Sequence, residues 1–299
     1  MSDGTVSEGT VATTPGAAPN APRRRRRRWI VLGAVVGALI ATGIAFAFVL
    51  DRQPGPASVD EAVDEFAGGG DDDDGAGGAR NPPPDGVYVY EGAGSESLSI
   101  LPGSHDQGPR LPGTVTHRDG GCWDFRIEYH EDHWQEWRYC PGGDATTGTR
   151  AGDLVEQGGV TYQAWDLGVA AIGNTSTFRC ADSVVIRAGA EPGDRWHQEC
   201  TGTSDTVDGT TVSAGATRFV GEETVTVAGE DVPALHYHQV RDMSDAQRGR
   251  QVEDFWFRAS DGLPLRNTRS ASIDSDSPVG AITYAEEGEW HLTSLTPRT

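Results

Sequence analysis

The chain has 299 residues, 45 of them acidic and 24 basic, and every basic residue is an arginine. Six arginines and two acids precede residue 29, so the remainder carries 18 − 43 = −25. So acidic a surface repels nucleic acid and anionic headgroups, which excludes both as ligands of that part.

Residues 1–28 show no apolar periodicity and end in a run of arginines from Arg23 to Arg28, which predicts a disordered basic tail. Then "WIVLGAVVGALIATGIAFAFVL", from Trp29 to Leu50, runs 22 residues without a charge. At helical rise it reaches ~33 Å, enough to cross a bilayer. Arginines before it and an acidic chain after it place the N-terminus in the cytoplasm and the rest outside. Ala45-Phe46-Ala47 has the form of a cleavage site, but the apolar run is longer than cleavable ones, so the reading is an uncleaved single-pass anchor in the plasma membrane. Gly33, Gly37, Ala41 and Ala45 share one face, and two such helices could approach closely as a homodimer.

Residues 51–84 are rich in Gly, Asp and Pro and predict a flexible stalk, with one short helical stretch at 59–66. From residue 85 to 299 the texture changes to short apolar or alternating runs between turn residues. Strands are predicted at 86–91, 114–118, 123–129, 134–140, 160–165, 175–180, 183–187 and 196–201. More follow at 210–219, 222–227, 232–240, 252–258, 266–272 and 281–295, the last broken near Gly288. No sustained helical period appears there, so the expected class is all-β and mostly antiparallel: an open or half barrel, or two small lobes, 85–205 and 206–299.

Four cysteines, Cys122, Cys140, Cys180 and Cys200, all follow the span. An even number in an exported domain predicts two disulfides. In "CWDFRIEYHEDHWQEWRYC" the apolar residues fall at 123, 125, 127 and 129, which is strand period. Folding the stretch into a hairpin with Cys122 opposite Cys140 sets Trp123 against Tyr139, Phe125 against Trp137, Asp124 against Arg138 and Arg126 against Glu136. Ile127 then meets Gln135, the one mismatch, and the tip is His130-Glu131-Asp132. Cys122–Cys140 and Cys180–Cys200 are the expected bridges, the second across a turn near "GAEPGD".

His130 and His133 flank that tip, which reads as polar and solvated. His236 and His238, in "LHYHQV", share one strand face. All four are weak metal candidates, and no cofactor is expected. No nucleophile elbow, phosphate loop or dinucleotide glycine pattern occurs, so the chain reads as non-enzymatic. The expected role is binding in the cell envelope, of an apolar ligand or a protein partner, with the bilayer contacted through the N-terminal helix. The alternative is a metal-assisted hydrolase using the four histidines.

The order of elements through "GEETVTVAGEDVPALHYHQV" and "FWFRASDGLPLRNTRS", with "GVYVY" at the opening, resembles uncharacterised single-span exported membrane proteins of high-GC Gram-positive bacteria. It also resembles, at fold level, the half-open β-barrel of lipoprotein-carrier and lipid-binding envelope proteins. The second resemblance implies a curved antiparallel sheet around an apolar ligand, although the helices that plug such barrels have no counterpart here.

Overall fold

Among the described residues thirteen strands follow one another from residue 86 to residue 292, and all but one consecutive pair are joined antiparallel, the second and third strands both pairing with the first. The computed structural model describes residues 53–69, 81–143, 148–166, 171–277 and 280–299, all within the unit Val49–Thr299. The tail, the span with Arg23, Arg28, Trp29, Leu50, Gly33 and Gly37, and Asp71–Asp74 lie outside the described residues. Among those described, no helix is long and apolar enough to cross a membrane.

The strands are β1 (Gly86–Leu98), β2 (His105–Gln107), β3 (Arg110–His117), β4 (Trp123–His130), β5 (His133–Pro141), β6 (Leu154–Asp166) and β7 (Ala171–Ile186). They continue as β8 (Arg195–Ser204), β9 (Thr211–Val227), β10 (Glu230–Asp245), β11 (Gln247–Arg258), β12 (Pro264–Ser277) and β13 (Gly280–Leu292). β1 pairs with β13 from Tyr90↔Leu292 to Leu98↔Tyr284, which closes the sheet. β2 and β3 share one position beside β1, so the barrel has twelve staves.

The all-β antiparallel expectation therefore holds, with two corrections. The barrel is closed rather than open, and one continuous sheet leaves no division into two lobes. Several strands are also longer than their sequence signals. Runs 175–180 and 183–187 belong to β7, runs 210–219 and 222–227 to β9, and β13 passes through Gly288 unbroken. Gly288 faces Gly94 across the closing seam. A Cβ on Gly94 would lie 2.5 Å from Gln107 Oε1 and 2.6 Å from the Glu287 carbonyl, so the glycines let the seam close around Gln107.

Alternation sorts the side chains. Tyr88, Tyr90, Trp123, Phe125, Ile127, Tyr139, Phe257 and Trp290 point inward and are buried. Their rings meet in pairs, such as Tyr90–Trp290 at 5.0 Å and Trp123–Tyr139 at 4.8 Å. Side chains just fill an eight-stranded barrel. Twelve staves enclose more space, which these large rings fill in part. The outward positions carry charge, as at Arg110, Arg126, Arg138, Glu222, Arg266 and Glu289, the reverse of the apolar outer band of a membrane-spanning barrel.

"GVYVY" is apolar on both faces, and its outer face has a cover. Val87 is fully buried beneath α1 (Val59–Gly68), which sets Val59 and Ala62 on it, with Val63 and Phe66 at the edge. Ser58 caps α1 by accepting from Glu61 N at 3.2 Å, and Asp60 and Glu61 suit its positive end. Residues 53–69 are therefore a docked segment and not a free stalk. Gly55 exchanges backbone and side-chain hydrogen bonds with Glu131, and Gln53 bonds Ser104 and Asp106.

Both disulfides form as expected, Cys122–Cys140 and Cys180–Cys200. β4 and β5 pair in the expected register from Trp123↔Tyr139 to Glu128↔Trp134. Asp124 accepts from Arg138 at 2.7 and 3.0 Å and from Arg118 at 2.7 Å. Arg126 stands opposite Glu136 but turns to Glu128 at 3.2 Å and lies over Trp134 at 4.3 Å.

Candidate functional site

The end of the β4–β5 hairpin departs from its expected form. The register slips between Glu128 and His130, so His130 pairs with His133 across a two-residue turn, Glu131-Asp132. A bulge of this kind shifts the phase of alternation, and consecutive Tyr129 and His130 are both turned out of solvent. His133 follows the inward phase of Gln135, Trp137 and Tyr139. The two histidines are thus not solvated, His130 being 2% exposed and His133 0%, while Glu131 in the turn between them stays exposed. Backbone bonds hold it from three sides, through Gly55–Glu131, Gly108–Tyr129 and Ala164–Asp132.

The two imidazoles converge on Glu96 of β1, a residue with no strand signal of its own in "EGAGSESLSI". His130 Nε2 lies 3.0 Å from Glu96 Oε1, and Tyr284 Oη donates to Oε2 at 3.0 Å. His133 Nδ1 is 2.6 Å from Oε2 but out of line for a hydrogen bond. Gln163 Nε2 reaches Oε2 at 3.5 Å and His133 Nε2 at 3.4 Å. His105 of β2 brings Nδ1 to 3.9 Å from Oε1, and its ring stacks on Trp165 at 4.3 Å. Burial acts to raise the Glu96 carboxyl, but His133 and His130 outweigh it and hold it well below the usual carboxylate range. Burial draws His105 below the ordinary histidine value, against the pull of Glu96.

Beyond Tyr284 and Gln163 the interior becomes ionic. Arg269 Nε lies 2.9 Å from Glu286 Oε2, its Nη1 lies 3.7 Å from Glu253 Oε1, and it also donates to Gln135. The Ile127–Gln135 mismatch is thereby explained: Gln135 faces inward as a partner for a buried arginine. Gln107 donates to Glu286 at 2.9 Å and Gln251 to Glu253 at 2.6 Å. Arg241 pairs with Glu156 at 2.5 Å. Gln198 accepts from Thr217 at 2.7 Å, from Arg241 at 3.3 Å and from Gln239. Burial pushes the Glu253 carboxyl up, in spite of Arg269 and Arg241.

Part of this network borders a cavity of about 120 Å³, walled by Glu156, Arg241, Gln251, Glu253, Arg269 and Tyr284 among others. Ligand pockets for larger apolar molecules run to about 300–1,000 Å³. The chamber is therefore of a size for a small solute and not for a long acyl chain.

His236 and His238 share the outer face of β10, as the sequence suggested, and are not joined to this interior. His236 Nδ1 lies 2.7 Å from Glu223 and Nε2 2.8 Å from Asp254, while its ring stacks on Trp256 at 4.1 Å. His238 Nδ1 contacts Asp254 at 3.1 Å. Both nitrogens of His236 face carboxylates on the barrel's outer surface. The stack also covers the outer side of Trp256, which explains how Phe255, Trp256 and Phe257 are all buried in one strand.

No family model matches the chain, and no curated protein matches it. Among solved structures it is similar to the hypothetical lipoprotein YmcC from Escherichia coli, at 11% identity and a TM-score of 0.29, over 66% of this chain and 86% of that one.

Proposed function

We propose that the chain is a membrane-anchored, extracytoplasmic binding protein whose closed β-barrel holds a small polar solute and performs no chemistry on it. The observation that carries this reading is the ion-lined interior cavity. A barrel filled end to end with aromatics would have served stability alone. Here Arg241, Arg269, Glu156 and Glu253 are buried beside open space, at a desolvation cost that an apolar filling would avoid.

Those ions neutralise one another, so the chamber offers donors and acceptors in pairs and suits a neutral or zwitterionic solute. Its small volume, more than its mixed lining, argues against the bulky apolar envelope ligand that the sequence suggested. The two disulfides agree with a domain exported through the span at 29–50, with the N-terminus inside. The bilayer is then the partner of the N-terminal helix.

Native mass spectrometry of the full-length protein, released from detergent, tests the reading. A small noncovalent adduct is expected, and it should be lost in Ser213→Leu, which adds bulk to the cavity wall. The bare protein mass in both proteins would overturn it.

A further inference from the structure

Glu96, His130 and His133 each offer a ligand atom, and all these atoms lie within 4.8 Å of one another. Each residue is at most 2% exposed. Two ring nitrogens at this point have no hydrogen-bond partner: His133 Nδ1, beside Glu96 Oε2, and His105 Nδ1, 3.9 Å from Oε1. A fold that needed only a satisfied carboxylate could provide it with the hydroxyl of Tyr284 and one amide. Burying two imidazoles that aim at the same carboxylate, with a third at the rim, goes further.

We propose that Glu96, His130 and His133 bind one first-row divalent transition-metal ion of the zinc type, with His105 as the fourth ligand. The donor set is nitrogen and oxygen without sulfur, which suits zinc and its neighbours, whereas calcium and magnesium favour oxygen alone. Ligand bonds of about 2.1 Å set tetrahedral ligand atoms about 3.4 Å apart. The nitrogens and carboxylate oxygens, now 2.6 and 3.0 Å apart, open by about 0.8 and about 0.4 Å to admit the ion.

Loading has an identifiable cost. Asp132 N donates to His130 Nδ1 at 3.2 Å, so the ring proton of neutral His130 sits on Nε2. When Nε2 takes the metal the proton moves to Nδ1, so the ring stays neutral and the Asp132 bond is given up. Tyr284 and Gln163 then act as the outer layer. The hydroxyl keeps its bond to Glu96, and the Gln163 amide, turned over, accepts from His133 Nε2. The stack on Trp165 fixes the His105 ring at the rim.

The inference stands apart from the cavity reading, and one experiment separates them. The full-length protein in detergent, stripped with a chelator, is titrated with Zn²⁺ alone, and bound metal is counted by elemental analysis. One ion per chain is expected. His130→Gln and His133→Gln should each weaken binding by about 100-fold, and Tyr284→Phe by about 10-fold. His238→Gln, on the outer face, should leave it unchanged. Tyr284→Phe keeps the aromatic volume and serves as the ligand-shell test if either histidine variant fails to fold. No stoichiometric Zn²⁺ in the unaltered chain would overturn the site and show a hydrogen-bonded carboxylate only, leaving the cavity reading intact. Zinc lost in His238→Gln but kept in His133→Gln would overturn it as well.

Discussion

Replacing Arg269 with methionine keeps much of the side-chain length and removes the charge that joins two buried carboxylates. Arg269 is 8% exposed at its side chain, Glu253 3% and Glu286 1%. At an effective dielectric of about 20, the looser contact alone, 3.7 Å to Glu253, corresponds to about 4 kcal/mol of attraction. Truncating one partner of a buried pair costs about 3–5 kcal/mol, because the other charge is left uncompensated. Arg269→Met should therefore lose about 4 kcal/mol at neutral pH, read from urea unfolding of the full-length protein by tryptophan fluorescence. The loss should also depend on pH. Burial already raises the Glu253 carboxyl, and without Arg269 it rises further. Between the unfolded value, about 4.3, and the raised folded value, the native state binds more protons, so stability falls as pH rises. The deficit should be smaller at about pH 5 than at about pH 8. A loss under about 1 kcal/mol, or one equal at both pH values, would refute the reasoning.

Removing the Cys122–Cys140 bridge as a double serine variant releases a loop of sequence separation 18, worth about 3 kcal/mol in the loop-entropy account, and should lower the thermal midpoint measurably. Val59→Asp places a charge where α1 meets Val87, so residues 53–69 should become sensitive to limited proteolysis while the barrel stays resistant; equal resistance of the segment in both proteins would contradict the docking. Burial raises Tyr88 to about 12 and holds Tyr90 and Tyr139 well above 10. Unfolded tyrosines ionise first as pH rises past about 10, so stability present below that pH should fall by about 1.4 kcal/mol per unit for each such residue. A flat alkaline profile in denaturant titrations would show that these hydroxyls reach water.

The hairpin shows how far the sequence could be read. Its alternation, its charges and its two cysteines fix one register, and β4 and β5 adopt it through Glu128↔Trp134. That same register also places His133. His133 shares the odd phase of Trp137 and Tyr139, so it belongs to the buried face, whereas a polar tip had been expected. His130 could not have been placed this way, because the bulge that turns it depends on contacts from β2, β6 and the segment at residue 55. Glu96 was invisible for another reason: "EGAGSESLSI" is polar on both faces, since its inner positions are a seam of glycines and an ionic pocket. The docking of residues 53–69 was half legible. The helix at 59–66 was marked, but its apolar face needed Val87, and "GVYVY" only hinted at a cover by being apolar on both sides. The long strands were cut short wherever inward positions turned from aromatic to Gln, Arg or Glu. Hydrophobic alternation ends there although the sheet does not.

The claim at the centre is that the ion-lined end of the barrel is a binding chamber. An experimental density map of the full-length protein, purified without added ligand, tests it most directly. Connected non-protein density beside Arg241, Arg269 and Glu253 is the expected result. Separate ordered waters alone in that space, satisfying the same groups, would contradict it.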